Sequence, residues 1–403
     1  MKKGLLYYRI PVHSDDWHKM RTVGLTAEQA KAYNMPEYKG GIGASEIGTV
    51  LGLNHKYRPV SAELFHFKVG TEQPLFFDNI NMLLGRELEA LIKRFWECED
   101  GTENGWIETF NKWQAAPTGD KDKHLIKRAQ SINAIIINPD YPYLSCNLDY
   151  YAFKDTPCMI DNHSKYAAGE GIKSGFPVEC KSIGQMAAKV WEDGIPPNYI
   201  AQINQQMLVT DTYYAEIPIL ELGDKRKFSV YREERNDELC EQIVTQAYTF
   251  WQRVLKARRY YDELADREST GDYTKSDMLM GQIQSLEPEP DENEKWKEYL
   301  SERYTKEIDF AQGSLSEYTL LKRHRMLTEL IKALDGMKTK MVNLVTLSIS
   351  KKQTEKLIFA DAKDYARYYK KQGGINYQLD NRIKAKPTEE QVKQEIDKLN
   401  LNY

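Results

Sequence analysis

The hydrophobic periodicity of the chain changes near residue 130, and this change limits the folds open to it. Before that point, apolar residues over Leu83–Glu97 recur at spacings of three and four, which is the period of an amphipathic helix. After it, the apolar runs Ile132–Ile137, Tyr143–Phe153 and Phe176–Ser182 are typical of strands and are separated by turn residues. Short strands between helices predict an α/β fold.

The same patterns predict the remaining elements. Further helices are expected over Thr26–Asn34, Ile47–Leu51, Val60–Val69, Met186–Val209 with a break at Pro196-Pro197, and Glu238–Leu264. Two more strands are expected over Tyr213–Leu222 and Lys227–Tyr231. Residues 100–130 are polar and rich in Gly, Lys and Asp, so they are predicted to form a loop or an insertion.

Composition divides the chain into three parts. Residues 265–296 are polar and acidic and contain closely spaced prolines, so a linker is predicted there between a domain at 1–264 and a region at 297–403. The last region should be mostly α-helical, because apolar residues repeat there every seven positions, at Leu320, Leu327, Leu334 and Met341. Such a seam is long enough for a helical hairpin or a coiled-coil pair.

Composition also limits the classes of function. Of the 403 residues, 41% are hydrophobic and 29% charged, and no apolar run approaches the roughly 18 residues of a membrane span, so a soluble cytoplasmic protein is expected. The net charge of −4 means that a nucleic acid would have to bind in a local groove. The five scattered cysteines form no CxxC pair, which argues against disulfides and against a zinc or iron–sulfur site.

The segment Pro177–Lys181 carries the main chemical signal. Side chains alternate along a strand, so Glu179 and Lys181 should share one face while Val178 and Cys180 face the other. The carboxylate and the backbone carbonyl of Cys180 are oxygen ligands that a hard cation such as Mg²⁺ accepts. The lysine could orient an attacking water, stabilise negative charge or, with a depressed pKa, take a proton. In isolation, however, an acid-x-Lys triplet is more often a solvated strand face.

Other polar side chains extend this candidate site. Asp149, in the preceding strand, could supply a second carboxylate to one metal ion. Glu89 could hold a second metal, because Gly85 one turn earlier would let that helix pack closely. Gln202 and Gln206 lie one turn apart, either on a polar surface or with Gln202 facing the site and bonding a phosphate or a carboxylate.

Five sequence blocks in this order resemble the YqaJ-type viral recombinase, or lambda-exonuclease-like, family of the PD-(D/E)XK nuclease superfamily. The blocks are Gly41–Ile47, Gly85–Glu89, Asn138–Asp149, Val178–Lys181 and Tyr199–Gln202. Together with an aromatic pair near residue 250, they cover about residues 14–255. Three features depart from the family pattern: the spacer before Gly41–Ile47, the segment 100–130, and the stretch between Asp149 and Glu179.

The resemblance implies a PD-(D/E)XK (restriction-endonuclease-like) core, with a central mixed sheet flanked by helices, and it implies roles for particular residues. The implied metal ligands are Glu89, Asp149 and Glu179, with Lys181 as the catalytic lysine, Gln202 as an additional active-site residue, and Arg21 and Ser45 near a bound 5′ phosphate. The implied activity is degradation of linear duplex DNA from an end, 5′ to 3′, with Mg²⁺ or Mn²⁺, in phage-type recombination. The resemblance also implies a single-strand annealing protein as a partner and assembly of the chain into a trimeric ring. A catalytically weak or inactive DNA-binding adaptor and an endonuclease remain as alternatives.

Overall fold

A computed structural model of the chain describes residues 4–11, 14–53, 59–73, 80–102, 104–153, 175–223, 226–291, 293, 295–303, 315–351, 356–358, 365–370 and 377–382. The chain divides into two compact units, Met1–Thr305 and Lys306–Tyr403. Within these described ranges, no helix is both long and apolar enough to cross a lipid bilayer.

The first unit combines helices with short strands. Its helices are α1 (Asp15–Arg21), α2 (Ala27–Lys31), α3 (Ile47–Val50), α4 (Ser61–Val69), α5 (Ile80–Glu97), α6 (Gly105–Ala115), α7 (Gln185–Trp191), α8 (Pro197–Thr210), α9 (Asp237–Ser269), α10 (Ser276–Gln284) and α11 (Lys295–Arg303). Its strands are β1 (Leu6–Tyr8), β2 (Ile42–Gly43), β3 (Ala129–Gln130), β4 (Ile135–Ile137), β5 (Leu144–Cys146), β6 (Tyr150–Ala152), β7 (Phe176–Val178), β8 (Lys181–Ile183), β9 (Tyr214–Glu221) and β10 (Lys227–Glu234). Short 3₁₀ helices span Ala44–Glu46 and Lys121–His124.

Two mixed sheets organise this unit. In the first, with the order β1-β4-β5-β2, only the β2–β5 pair is parallel. In the second, with the order β10-β9-β7-β6-β3, both β7 and β8 run parallel to β9 and the other pairs are antiparallel. The predicted α/β class, with mixed strands flanked by helices, is confirmed, although the strands form two sheets rather than one.

One predicted strand is divided between the two sheets. Tyr143–Phe153 was expected to be continuous, but β5 belongs to the first sheet and β6 to the second. At the break, the side chain of Asp149 accepts the backbone N–H of Cys180 at 2.9 Å. A side-chain acceptor thus takes the place of a backbone one, which lets the chain leave one sheet and enter the other.

The main apolar core lies between the first sheet, α8 and α9. Leu144 from β5, Ala201 from α8 and Val254 from α9 are all buried in the same cluster. The start of α9 is fixed by Asn236, whose side chain accepts the N–H of Leu239 at 3.0 Å. The core therefore holds α8 firmly between the sheet and the 33-residue helix α9.

Two expectations about irregular segments are corrected. The loop predicted within 100–130 contains α6, which packs its aromatic side chains against α5, with the rings of Phe95 and Trp106 4.5 Å apart. The linker predicted at 265–296 contains α10, and the whole segment belongs to the first unit because α10 buries Leu279 and Ile283. Amphipathic patterns this short were masked by the polar composition around them.

The described part of the second unit contains one long helix and a small sheet. Helix α12 (Leu315–Lys351) is followed by an antiparallel sheet of β11 (Lys356–Ile358), β12 (Tyr365–Lys370) and β13 (Tyr377–Arg382). The predicted helical C-terminal region is confirmed. Of the sheet, the sequence predicted only a small strand at 373–377, which lies outside the described residues except for Tyr377, where β13 begins. The heptad residues Leu320, Leu327, Leu334 and Met341 are exposed on α12. A coiled-coil pairing of this helix therefore stays a prediction.

Candidate active site

Glu179 lies on the second sheet, at a short interruption between β7 and β8. Val178 pairs with Glu216 and Lys181 pairs with Ile219, so the register to β9 is the same on both sides of the interruption. The backbone N–H of Glu179 donates to the carbonyl of Glu216 at 3.0 Å. The predicted strand Phe176–Ser182 thus follows one path along β9, with the two residues between β7 and β8 outside the regular ladder.

The carboxylate of Glu179 is surrounded by protein donors. One oxygen, Oε1, accepts hydrogen bonds from Lys181 Nζ at 2.5 Å and Gln202 Nε2 at 2.6 Å. The other oxygen, Oε2, accepts from Gln206 Nε2 at 2.7 Å. Glu179 is only 4% exposed, so these bonds form in a protected environment where charge-assisted contacts are strong.

The opposite face of this strand is apolar, as its alternation predicts. Val178 and the side chain of Cys180 lie in a buried cluster with Phe176. Burial raises the pKa of the Cys180 thiol well above its ordinary value, and nearby carboxylates raise it further. The thiol is therefore a core group, and a role for the Cys180 backbone carbonyl as a metal ligand stays a prediction.

Asp149 and Glu89 bring two more carboxylates near Glu179. Burial raises the pKa of Asp149 well above its ordinary value, and the charges of Glu179 and Glu89 add to that effect. Burial likewise raises the pKa of Glu89, and Glu179 raises it further. Burial and, after it, repulsion from neighbouring carboxylates set both directions, so the cluster is a place where positive charge is stabilised.

Lys181 supplies positive charge at this place. Burial by itself lowers the pKa of Lys181, but the carboxylates of Glu179 and Asp149 outweigh it and hold the pKa above its ordinary value. The ammonium also lies 5.3 Å from the centre of the Tyr199 ring. The depressed pKa that a proton-accepting lysine needs is absent, so orienting or charge-stabilising roles are favoured.

Helix α8 presents three glutamines, and for one of them an active-site role was predicted from the sequence. Gln202 faces Glu179, as the sharper of the two interpretations predicted. Gln206, which had been noted only for its spacing, bonds both Glu179 and the Asn147 carbonyl. Gln205 instead donates to the carbonyls of Ile42 at 2.8 Å and Ser145 at 2.9 Å. In the sequence, the spacing of four residues from Gln202 was the feature that could have indicated a role for Gln206 at the site.

The expectation that Gly85 lets helix α5 pack closely against the site is not supported. A Cβ atom at this position would meet only Ser182 Oγ, at 3.8 Å, which is ordinary van der Waals contact. Helix α5 does lie against β8 at this point, and Glu89 follows one turn later on the same helix. The approach of α5 to the strand therefore does not depend on a missing side chain.

Arg21 and Ser45 form a second group beside β2. The Arg21 guanidinium donates to Ser45 Oγ at 3.3 Å and lies 4.7 Å from the centre of the Trp17 ring. The 3₁₀ turn that carries Ser45 begins where β2 ends. The structure thus brings together the two residues for which the resemblance implied a 5′-phosphate contact, despite the long spacer between them.

The donor set near Glu179 fits a hard divalent cation in chemical terms. Three carboxylates repel one another, and the buried amide oxygen of Gln206 accepts no hydrogen bond from the described residues. Oxygen donors of these kinds are the usual ligands of Mg²⁺. In the described part of the chain, however, no three acidic, cysteine or histidine side chains are grouped closely enough to enclose an ion. Small shifts of these side chains would have to accompany binding.

Comparisons with known proteins bear on this geometry. Two crystal structures of LHK-Exo, an alkaline exonuclease from Laribacter hongkongensis, are similar to this chain at 18% identity, covering 56% of this chain and 94% of that chain. The complex with dAMP gives a TM-score of 0.39 and the other structure gives 0.38. No curated protein matches the chain. The sequence model described as the YqaJ-like viral recombinase domain matches residues 16–213, a span that contains Arg21, Ser45, Glu89, Asp149, Glu179, Lys181 and Gln202. Over residues 16–213, this chain is therefore similar to the YqaJ-like viral recombinase domain.

Proposed function

We propose that this protein is a divalent-metal-dependent deoxyribonuclease that degrades linear duplex DNA from its ends. The observation that carries the proposal is the environment of Glu179. Its carboxylate is buried, held by a protonated lysine and two glutamines, and lies near two other carboxylates with raised pKa values. A buried cluster of like charges around a lysine is costly for stability, and such clusters are typical of catalytic sites.

The side chains divide the work of phosphodiester hydrolysis. Glu179, Asp149 and Glu89 are the proposed ligands of Mg²⁺, for which Mn²⁺ could substitute. When bound, the metal polarises the scissile phosphate and lowers the pKa of a water molecule. Lys181 orients that water and stabilises the negative charge that develops on phosphate. Gln202 and Gln206 fix the direction of the Glu179 carboxylate by bonding both of its oxygens.

End recognition is assigned to Arg21 and Ser45. A guanidinium that is stacked on an aromatic ring and bonded to a serine hydroxyl presents donors suited to a terminal 5′ phosphate. This part of the proposal, like the 5′ to 3′ direction, rests on the family resemblance together with that contact. The same resemblance supports a role in phage-type recombination, transfer of the remaining strand to an annealing protein, and assembly as a trimer.

The test compares two DNA substrates of equal sequence. Linear duplex and covalently closed circle are incubated with the protein in Mg²⁺ or in EDTA, and the linear DNA is labelled at either the 5′ or the 3′ terminus. We expect loss of linear DNA in Mg²⁺ only, with 5′-terminal nucleotides released first. The variant Lys181→Met should be slower by roughly 10²–10³-fold, the usual effect of removing one charge-stabilising group.

A matched control separates catalysis from general damage. Lys189 is an exposed lysine on α7, close in sequence to the site, and Lys189→Met should cleave at the wild-type rate. Equal rates for the Lys181 and Lys189 variants would refute the assigned chemistry. Cleavage of the closed circle would indicate an endonuclease instead, and DNA binding without any cleavage would indicate an adaptor.

A further inference from the structure

Arg258 lies on α9, beyond the matched segment 16–213, and its guanidinium donates hydrogen bonds to backbone carbonyls. Its Nε and Nη2 donate to the carbonyl of Lys68, Nη2 also to Thr22, and Nη1 to Val23 and Lys39, at distances of 2.5–3.1 Å. A guanidinium has five N–H donors, and these five bonds account for all of them. Arg258 therefore has no donor left for a ligand.

Lys68 continues this network toward Arg21. Its ammonium is fully buried and donates both to the backbone carbonyl of Arg21 and to Glu46 Oε2, the latter at 2.7 Å. Glu46 Oε2 also accepts the N–H of Gly43 at 2.7 Å. One chain of bonds thus joins Arg258, through Lys68, to the backbone of Arg21 and to the turn that carries Ser45.

Burying the cations of Arg258 and Lys68 costs free energy of folding, and this cost points to a positioning role for them. Burial lowers the pKa of Arg258 to about 10, and burial also lowers the pKa of Lys68, so both cations are held with less hydration than in water. A buried polar network of this kind fixes the groups at its end when every donor is matched. This network ends at the hydrogen bond from Arg21 Nη2 to Ser45 Oγ, at 3.3 Å.

We propose that Arg258 and Lys68 are positioning residues that hold Arg21 against Ser45, and that they set the preference of the protein for a 5′-phosphorylated DNA end over a 5′-hydroxyl end. This inference rests on the phosphate contact in the proposed function, but not on cleavage. Arg258 acts through Thr22 and Val23, which directly follow Arg21 in the chain. The preference is therefore controlled partly from outside the matched recombinase segment.

The test measures binding without catalysis. A hairpin duplex with one free end, carrying either a 5′ phosphate or a 5′ hydroxyl, bears a fluorophore in its loop. Its affinity is measured by anisotropy in EDTA. We expect wild type to favour the phosphate by roughly tenfold or more, equivalent to about 1.4 kcal/mol. Arg258→Lys keeps the charge but cannot reach the same carbonyls, so the ratio should fall toward one.

Two further variants make the result specific. Arg259→Lys, at an exposed arginine next in sequence, should keep the wild-type ratio. Glu46→Gln weakens the link to Lys68 at nearly constant shape and should lower the ratio even if the Arg258 variant folds poorly. A misfolded variant would also lose the preference, so the far-ultraviolet circular dichroism and the Tm of each variant must match those of wild type before its ratio is compared.

The outcomes are distinct from those of the nuclease assay. A ratio retained in both Arg258→Lys and Glu46→Gln, but lost in Arg21→Ala, would overturn the inference and leave the phosphate contact intact. A wild-type ratio of one would overturn it as well. A ratio that falls as expected in a protein that never cleaves DNA would support the inference while refuting the proposed function.

Discussion

Lys127 is the centre of a buried ionic network behind the strand that carries Glu179, and replacing it should destabilise the first unit strongly. Lys127 is 0% exposed, and its ammonium lies 2.5 Å from Glu99 Oε2 and 2.8 Å from Glu216 Oε2. Glu216 also accepts Trp96 Nε1 and the Tyr214 hydroxyl, each at 2.6 Å. The backbone carbonyl of Glu216 holds Glu179 in register, so the network supports the candidate site from the opposite face.

The expected loss in free energy of unfolding follows from the buried carboxylates that Lys127→Met leaves without their ammonium partner. Methionine nearly fills the volume of lysine, so the cavity contribution is small and the loss is mainly electrostatic. Removing one partner of a buried ion pair costs about 3–5 kcal/mol because the other charge stays buried. Arg232, 2.9 Å from Glu99 and 3.5 Å from Glu216, offsets part of this. We therefore expect a loss near the lower end, about 3 kcal/mol.

Urea unfolding followed by tryptophan fluorescence and circular dichroism measures the loss. A decrease of about 3 kcal/mol should also lower Tm by about 5 °C in a unit of this size. The double variant Lys127→Met/Glu216→Gln should recover part of the loss, because it removes the uncompensated charge. Lys123→Met, which breaks an exposed pair with Asp120, should change stability by less than about 0.5 kcal/mol. A loss below about 1 kcal/mol for Lys127→Met, or no recovery in the double variant, would refute the reasoning.

Three further predictions concern the carboxylate cluster. The pKa of Asp149 is raised in the folded state, so its protonated carboxyl stabilises the fold at low pH. This stabilisation is lost as the pH rises from the ordinary value near 3.9 through the raised pKa. Asp149→Asn should therefore have a higher Tm than wild type at pH 8 in EDTA, and no nuclease activity; an unchanged Tm would contradict the repulsion. Mg²⁺ should raise the Tm of wild type at pH 8 but not of Asp149→Asn, which a thermal titration checks. Gln206→Leu should lower the cleavage rate by about 10–100-fold, as loss of a residue that orients a ligand does, whereas Gln252→Leu, at an exposed glutamine on α9, should not.

The parts of the site that could be predicted from sequence are those set by local periodicity. The two-residue period of a strand places Glu179 and Lys181 on one face, and Lys181 Nζ does bond Glu179. The helical period places Gln202 and Gln206 one turn apart, and both reach the same carboxylate. In each case the geometry depends on residues within four positions of one another, so one sequence was sufficient.

What could not be predicted depends on contacts between distant residues. At the strand break, the carboxylate of Asp149 accepts the N–H of Cys180, which follows 31 residues later. The five bonds of Arg258 reach carbonyls that are 190 to 236 residues away, and no side-chain pattern marks a carbonyl as an acceptor. Backbone groups are the same in every residue, so a network built on them leaves no trace in composition or periodicity.

Helix α8 connects the two groups of residues that the sequence predicted separately. Gln202 and Gln206 bond Glu179 in the second sheet, while Gln205 bonds the carbonyl of Ile42 in the first. Ile42 lies on β2, which leads directly into the turn that carries Ser45. Because α8 is buried between the sheets and α9, its glutamines hold the Arg21–Ser45 group and the carboxylate cluster at a fixed separation. If these two groups act as proposed, recognition of a DNA end and cleavage near that end are linked through one rigid element, and a change at Gln205 should disturb both together.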